Sequence, residues 1–187
     1  MKIASLFLSL LVLAAPLRAQ PLPGDSVYHL QASTQAADGQ PVAWSSLRGQ
    51  PRVVSMFYTN CHLMCPLIIE NAKSLQKQLT SAERKRLGVV MVSLDPARDT
   101  PSAMQDVARR HRVPDGWRFL TPAADDVRAI ASVLDVRYRF RDDGSINHTS
   151  VLVLLDADGR VRARSEVTGA AADPQFLTQV KALLAGP

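Results

Sequence analysis

The two cysteines of this chain, Cys61 and Cys65, lie four positions apart, and their chemistry needs explaining before that of any other residue. Two cysteines placed at random in a chain of this length would show that spacing in roughly one case in a hundred. A disulfide closing so short a loop would remove little entropy from the unfolded chain, so stabilisation is a poor reason for the pair. Thiolates serve redox exchange and bind soft ions such as Cu(I), zinc and iron–sulfur clusters, so these uses are the leading hypotheses.

A strongly predicted strand precedes the cysteine pair, and a predicted helix follows it. Residues Val53 to Tyr58 are mostly β-branched or aromatic, and from Pro66 the apolar residues recur with helical spacing as far as Leu79. Free N–H groups and the helix dipole at such a junction stabilise a thiolate. Residues four apart on a helix also share one face. Both sulfurs are therefore expected to reach a common point, where they could form a disulfide or chelate one soft cation.

The remaining predicted elements alternate between strands and helices and end in a hairpin and a helix. Thr80 and Glu83 form a capping box, Thr100 and the proline after it begin another helix, and residues 150–166 are predicted to form a β-hairpin. This order predicts one α/β domain over residues 20–187. Its fold is expected to be thioredoxin-like, with a central mixed β-sheet flanked by helices, although fold alone does not set function.

A metal ion held by two sulfurs needs at least one more ligand, and the four histidines are candidates. His148 lies just ahead of the apolar strand Val151 to Leu155, a position that can be near the cysteine helix in a thioredoxin-like sheet. His111 is predicted to be a solvated cation at a helix C-terminus. His29 is predicted to lie on the surface of a strand. The sequence therefore favours His148.

Three segments of the chain together resemble the Sco/SenC family. They are FYTNCHLMCP at Phe57 to Pro66, VSLDPARDTP at Val92 to Pro101, and Asn147 to Thr149 ahead of LLDADG at Leu154 to Gly159. The hairpin residues DGQP at Asp38 to Pro41 add to the resemblance, which covers essentially the whole chain after the first nineteen residues.

The resemblance implies a copper metallochaperone rather than an enzyme, with Cys61, Cys65 and His148 as ligands of Cu(I), Cu(II) or both. It implies delivery to a respiratory cuproenzyme such as the copper A subunit of cytochrome c oxidase, whose thiols the protein could also reduce. Nitrous oxide reductase, another periplasmic copper chaperone and a thiol reductase are further candidate partners. No nucleic-acid partner is indicated, because the formal charge of +5 is scattered and no run of five or six like charges occurs.

The chain departs from the family pattern inside the cysteine loop and before the histidine. His62 stands where relatives commonly have proline, and either it or Met64 could be an exchange ligand for copper. The alternative for His62 is a solvent-facing residue that tunes the thiolate pKa. Asn147 replaces a frequent acidic residue. Asp95, expected beside the site, is equally well explained as a group facing the metal ligands or a partner and as a cap for the turn before Pro96.

Two other classes of protein would use the same cysteines. A thiol-disulfide oxidoreductase or thiol peroxidase would have Cys61 as the attacking thiolate and Cys65 as the resolving thiol. The three residues between the cysteines and the distant His148 favour copper over simple disulfide exchange. A sensor of copper or redox state would share the metal ligands, and the sequence does not separate it from a chaperone.

The first nineteen residues are expected to form a secretory signal peptide. Lys2 precedes the apolar stretch Ile3 to Ala15, which is too short to cross a bilayer, and a small residue stands at Ala19 for cleavage. The mature protein is therefore expected in the periplasm or another exported location, or attached to the membrane if the signal is retained. The composition, with 47% hydrophobic and 21% charged residues, excludes collagen-like and disordered classes.

Overall fold

Residues 21–186 are described by a computed structural model in which strands and helices alternate in the predicted order. The strands are β1 (Ser33–Ala36), β2 (Pro41–Ala43), β3 (Arg52–Phe57), β4 (Gly88–Ser93), β5 (Arg118–Pro122), β6 (Tyr138–Phe140), β7 (Ile146–His148), β8 (Val151–Leu155) and β9 (Val161–Glu166). The helices are α1 (Met64–Lys77), α2 (Ser81–Arg86), α3 (Pro101–Arg110), α4 (Asp126–Val133) and α5 (Pro174–Ala185), with short 3-10 helices at Val27–His29 and Trp44–Leu47. The expected signal peptide at residues 1–19 lies outside the described range. No helix within residues 21–186 is long and apolar enough to span a bilayer.

A seven-stranded mixed sheet forms the centre of the fold, with strand order β2-β1-β5-β4-β3-β8-β9. β3 runs parallel to β4 and antiparallel to β8, and β4 runs parallel to β5. Every residue of β3, β4 and β8 is buried, as expected of apolar strands covered on both faces. The predicted central mixed sheet is therefore confirmed. The pairing of Phe57 with Ser93 brings the loops after β3 and β4 to one edge of the sheet.

The helix after β3 begins earlier than the sequence pattern predicts. α1 starts at Met64, so Pro66 occupies its first turn, where a backbone N–H is not needed. Cys65 belongs to this turn, whereas Cys61 lies in the loop before the helix. The expectation that both cysteines share a helix face is therefore wrong. Burial of Ile68, Ile69, Ala72 and Leu75 fixes the helix against the sheet.

The short hairpin of β6 and β7 carries His148 and is separate from the central sheet. His148 is the last residue of β7 and pairs with Tyr138, and β8 begins three residues later. His148 therefore lies just ahead of β8 as predicted, at the end of a strand that is followed by a two-residue connection. This connection returns the chain to the central sheet beside β3.

The predicted helix starts at Thr80 and Thr100 are confirmed by side-chain caps in the structure. Thr80 and Glu83 form the predicted capping box, and the Thr100 hydroxyl accepts a hydrogen bond from the Ala103 N–H at the start of α3. The prediction for His29 is wrong, because Val27–His29 forms a 3-10 helix in which His29 is exposed.

Candidate metal centre

The two cysteine sulfurs meet at the N-terminus of α1. The Cys61 sulfur accepts a hydrogen bond from the Cys65 backbone N–H at 3.2 Å, and both thiols are free. Cys61 is half-buried, whereas Cys65 is only 3% exposed. The two sulfurs therefore lie together as expected, but the loop and the first turn of α1 position them, not a shared helix face.

The two thiols have opposite acidities. Hydrogen bonding from the Cys65 side chain, then from the His148 side chain and the backbone, lowers the pKa of Cys61 to about 3. Burial, followed by the neighbouring Cys61, raises the pKa of the Cys65 thiol. At neutral pH the pair therefore consists of one thiolate and one thiol, an arrangement suited to nucleophilic attack or to uptake of a soft cation.

We expect iodoacetamide to modify Cys61 and to leave Cys65 largely unmodified in the reduced protein. Because the pKa of Cys61 is about 3, its alkylation rate should change little between about pH 5 and about pH 8. An ordinary thiol would react roughly several hundredfold faster over that range. Peptide mass spectrometry with timed quenching measures both rates, and free glutathione serves as the unperturbed control. A rate at Cys61 that rises in parallel with that of glutathione would contradict the assigned thiolate.

His148 faces the buried sulfur. Its Nε2 lies 3.8 Å from the Cys65 sulfur, and its Nδ1 lies 3.1 Å from the Thr149 carbonyl oxygen. A carbonyl can only accept, so this contact places a proton on Nδ1. Nε2 faces the cysteines, where it donates to the Cys61 thiolate when it carries a proton and offers its lone pair to a metal ion when it does not. The Asn147 side chain is exposed, and among the described residues no hydrogen bond from it reaches His148. The Thr149 backbone carbonyl, and not the Asn147 side chain, therefore orients the imidazole.

Tyr58 is a site residue that the motif reading missed. Its ring packs edge-on against the His148 ring, with centroids 6.0 Å apart, and its hydroxyl accepts a hydrogen bond from the Ile146 N–H at 3.3 Å. Tyr58 therefore joins the end of β3 to the hairpin that carries the histidine. An aromatic residue directly before the cysteine loop was visible in the sequence, but its contact partner depends on the placement of β7.

Asp99 is a second site residue that sequence reasoning passed over. It is fully buried, and its Oδ1 accepts hydrogen bonds from the Thr59 N–H at 3.0 Å and the Thr59 hydroxyl at 2.5 Å. Its Oδ2 accepts from the Ser93 hydroxyl at 2.6 Å. Burial raises the pKa of Asp99 above its ordinary value. The carboxyl group fastens the cysteine loop to the end of β4.

Asp95 is buried, and its carboxylate forms an ion pair with Arg98. Its backbone carbonyl accepts from the N–H groups of Arg98 and Asp99, which supports the turn-capping interpretation. The guanidinium of Arg98 also donates to the Gly144 carbonyl at 2.7 Å. Through Arg98, Asp95 thus holds the turn of the hairpin that carries His148.

The other candidate residues differ in their exposure and in their distance from the cysteines. His62 is exposed and Met64 is half-buried. His111 lies at the C-terminus of α3 as predicted. It is half-buried rather than solvated, and its Nδ1 lies 3.8 Å from a Glu70 carboxylate oxygen. His62 and His111 line a crevice of about 150 Å³ that also contacts both cysteines. His29 contacts the Pro23 carbonyl through its ring and lies in a different part of the molecule from this crevice.

The donor set consists of two sulfurs and one imidazole nitrogen, which suits a soft ion such as Cu(I). Within residues 21–186, no group of three His, Cys, Asp or Glu side chains already forms a closed arrangement that could hold a metal ion. The residues fit a soft metal by chemistry and proximity, and binding would have to draw them closer together.

The fold and these side chains together define a thioredoxin-like protein with a cysteine pair and a facing histidine at one edge of its sheet. The family model described as SCO1/SenC matches residues 30–184, and the chain belongs to this family.

Individual relatives are similar to this chain in sequence or in fold. A SCO1 protein homolog of Bacillus subtilis (strain 168) is 28% identical over 131 residues, which cover 68% of this chain and 67% of that protein. A second curated relative aligns with this chain over 61% of its own length, so the chain spans about two thirds of the curated relatives that it matches. A SCO1/SenC family lipoprotein from Bacillus anthracis str. Ames has a TM-score of 0.72 and 22% identity, covering 82% of this chain and 94% of that one. Copper-bound yeast Sco1 has a TM-score of 0.70 and 15% identity, covering 83% and 87%. These solved structures show the shared fold.

Proposed function

We propose that this protein is a copper metallochaperone that holds copper through Cys61, Cys65 and His148. The observation that carries the proposal is the convergence of one acidified thiolate, one buried thiol and one imidazole Nε2 at the start of α1. Copper is bound in the structures of Sco proteins from yeast, Bradyrhizobium japonicum and Arabidopsis thaliana, which supports copper as the cargo. Sulfur ligands favour Cu(I), and the imidazole accepts either oxidation state.

Copper uptake would be coupled to protons and to the redox state of the cysteines. Cys61 already carries a negative charge, whereas Cys65 must lose its thiol proton when its sulfur binds the ion. Affinity should therefore fall as the pH falls. An oxidised pair has no thiolate to offer, so disulfide formation, which removes two electrons and the one remaining thiol proton, that of Cys65, would prevent binding.

We further propose that the protein acts outside the cytoplasm and delivers copper to a respiratory cuproenzyme such as the copper A centre of cytochrome c oxidase. The signal-like first nineteen residues support export, and the family includes a lipoprotein from Bacillus anthracis. Cys61 is partly exposed and is followed in the loop by exposed His62 and Leu63, so an acceptor could approach the Cys61 sulfur from this side. Ligand exchange could then proceed as acceptor thiols replace Cys61, the more exposed cysteine.

A thiol-disulfide reductase is the second candidate function. The observation that favours it is the pairing of a low-pKa, half-buried Cys61 with a buried Cys65, which resembles an attacking and a resolving thiol. A disulfide switch has been identified in BsSco, a member of the Sco family of cytochrome c oxidase assembly proteins, whose solved structure matches this chain with a TM-score of 0.69. Reduction of acceptor thiols and copper delivery could both use the same two cysteines.

The proposal predicts that only the reduced protein binds one Cu(I) ion tightly. Anaerobic titration against a competing chelator should give one-to-one binding with a thiolate-to-copper charge-transfer absorption. Protein oxidised to the Cys61–Cys65 disulfide should show no competition with the chelator, and re-reduction should restore it. Equal binding by both forms would contradict the sulfur ligands. Efficient disulfide exchange without tight copper binding would instead favour the reductase.

A further inference from the structure

A basic cavity lies at the opposite end of the sheet from the cysteine pair. It has a volume of about 700 Å³ and is lined by seven Lys and Arg side chains and by one carboxylate, that of Asp115. It forms where the parallel strands β3, β4 and β5 begin, at Arg52, Gly88 and Arg118, beside the C-terminal half of α1. The cavity is therefore separate from the copper ligands, which follow the carboxyl end of β3.

The inner wall of this cavity contains a buried positive charge without a carboxylate partner. Arg52 is only 6% exposed, and its Nε donates to the Leu47 carbonyl at 2.6 Å. Within residues 21–186, no Asp or Glu forms an ion pair with it. Tyr28 lies beside the guanidinium, but burial raises the pKa of Tyr28 to about 12, so the phenol stays neutral. Because buried charges are normally paired, an anion bound against Arg52 would offset the cost of burying its charge.

A second buried polar group lines the same cavity. Gln76 is only 8% exposed, and its Oε1 accepts a hydrogen bond from the Trp117 indole N–H at 2.7 Å. That contact leaves the amide N–H groups as donors, and among the described residues no hydrogen bond uses them. Gln76 therefore offers a fixed neutral donor in the same cavity as the buried cation.

The rim of the cavity adds further positive charges that are not used elsewhere. Lys77, Lys85, Arg112 and Arg118 are exposed cavity-lining residues, and no hydrogen bond or ion pair of their side chains occurs within residues 21–186. Arg118 lies close enough to Arg52 for its like charge to oppose that of the buried guanidinium. Such repulsion between neighbouring cations is relieved when a polyvalent anion binds between them.

We propose that this cavity binds a phosphate group. A phosphate offers several acceptor oxygens and up to two negative charges, which match the buried Arg52, the amide of Gln76 and the cationic rim. A volume of about 700 Å³ accommodates a phosphate ester larger than the free ion. The phosphate could belong to a soluble compound or to the headgroup of an anionic phospholipid.

Copper-free protein is used for the test, so its result is independent of the proposed copper site. Pyrophosphate is titrated at constant ionic strength by calorimetry, and binding to phosphatidylglycerol vesicles is compared with binding to phosphatidylcholine vesicles by sedimentation. We expect one saturable pyrophosphate site per chain. Binding to phosphatidylglycerol that pyrophosphate displaces would identify a lipid headgroup as the source, whereas pyrophosphate binding alone would identify a soluble phosphate compound.

Substitutions on the rim separate a built site from general charge attraction. The double variant Lys77→Gln with Arg118→Gln should weaken pyrophosphate binding at least about tenfold, because it removes two charged donors. Arg128→Gln with Arg139→Gln is the matched control, since both residues are exposed and lie outside the cavity. The proposal is overturned if no saturable binding occurs, or if the control weakens binding as much as the rim variant. All four positions are exposed, and circular dichroism checks that both variants fold.

Discussion

Replacing His148 by alanine is expected to weaken Cu(I) binding by at least about a hundredfold while leaving oxidation of the two cysteines largely intact. The loss of a group that only orients a ligand typically reduces metal affinity about 10- to 100-fold, so the loss of the ligand itself should cost at least the upper value. The imidazole Nε2 lies 3.8 Å from the Cys65 sulfur and is, within residues 21–186, the one side-chain nitrogen in contact with a cysteine sulfur. The measurement is chelator competition with anaerobically reduced protein.

The control variants are chosen from the histidines that share the crevice beside the cysteines. His62→Ala and His111→Ala alter groups near the same sulfurs, but neither side chain contacts a cysteine sulfur in the hydrogen bonds described. Both should retain copper affinity within about tenfold, a limit set by lost outer-shell effects. A large loss in His62→Ala with little effect in His148→Ala would assign the third ligand to the cysteine loop.

The same variant separates the two candidate functions. A protein that only exchanges disulfides should lose little rate in His148→Ala, because Cys61 keeps its hydrogen bond from the Cys65 N–H at 3.2 Å. A metallochaperone should lose copper loading in proportion to its lost affinity. Disulfide exchange with a small dithiol and retention of copper against a competing chelator can be measured on one preparation, which makes the comparison internal.

Much of the fold could be predicted from the sequence because its signals are local. The strand before Cys61 is mostly apolar, and such runs form strands buried on both faces. Caps at Thr80 and Thr100 marked two helix starts through hydrogen bonds that span only three residues. Cysteine spacing and an isolated histidine before β8 were enough to suggest the three candidate ligands.

The contacts that position these ligands could not be predicted, because they join residues far apart in the chain. Asp99 reaches Thr59 across forty positions, and the Tyr58 hydroxyl reaches the Ile146 N–H across 88. Their existence depends on the parallel pairing of β3 with β4 and on the placement of the β6–β7 hairpin. The start of α1 was also misplaced, since helical periodicity is weak in its first turn and Pro66 suggested a later boundary.

The buried Asp99 leads to the second large prediction, which concerns stability. Asp99→Ala is expected to lower the free energy of unfolding by about 3–4 kcal/mol, because it leaves three donors on Thr59 and Ser93 without their acceptor. For a protein of this size that corresponds to a fall in Tm of roughly 10 °C. Copper affinity should fall as well, since the cysteine loop loses its attachment to β4. Urea unfolding and thermal scans of the copper-free protein measure the stability effect directly.

Asp99→Asn is the matched variant, because its amide oxygen can still accept from Thr59 while carrying no charge. Burial raises the pKa of Asp99 above 3.8, so its contribution to stability is greatest below that pH and is lost as the pH rises through its own higher value. The asparagine cannot ionise, so the stability of Asp99→Asn relative to the unmodified protein should be higher at pH 7 than at pH 4. The opposite trend would mean that the folded protein favours the charged carboxylate. In that case the loop would be held mainly by ionic hydrogen bonds, and Asp99→Asn would be nearly as damaging as Asp99→Ala.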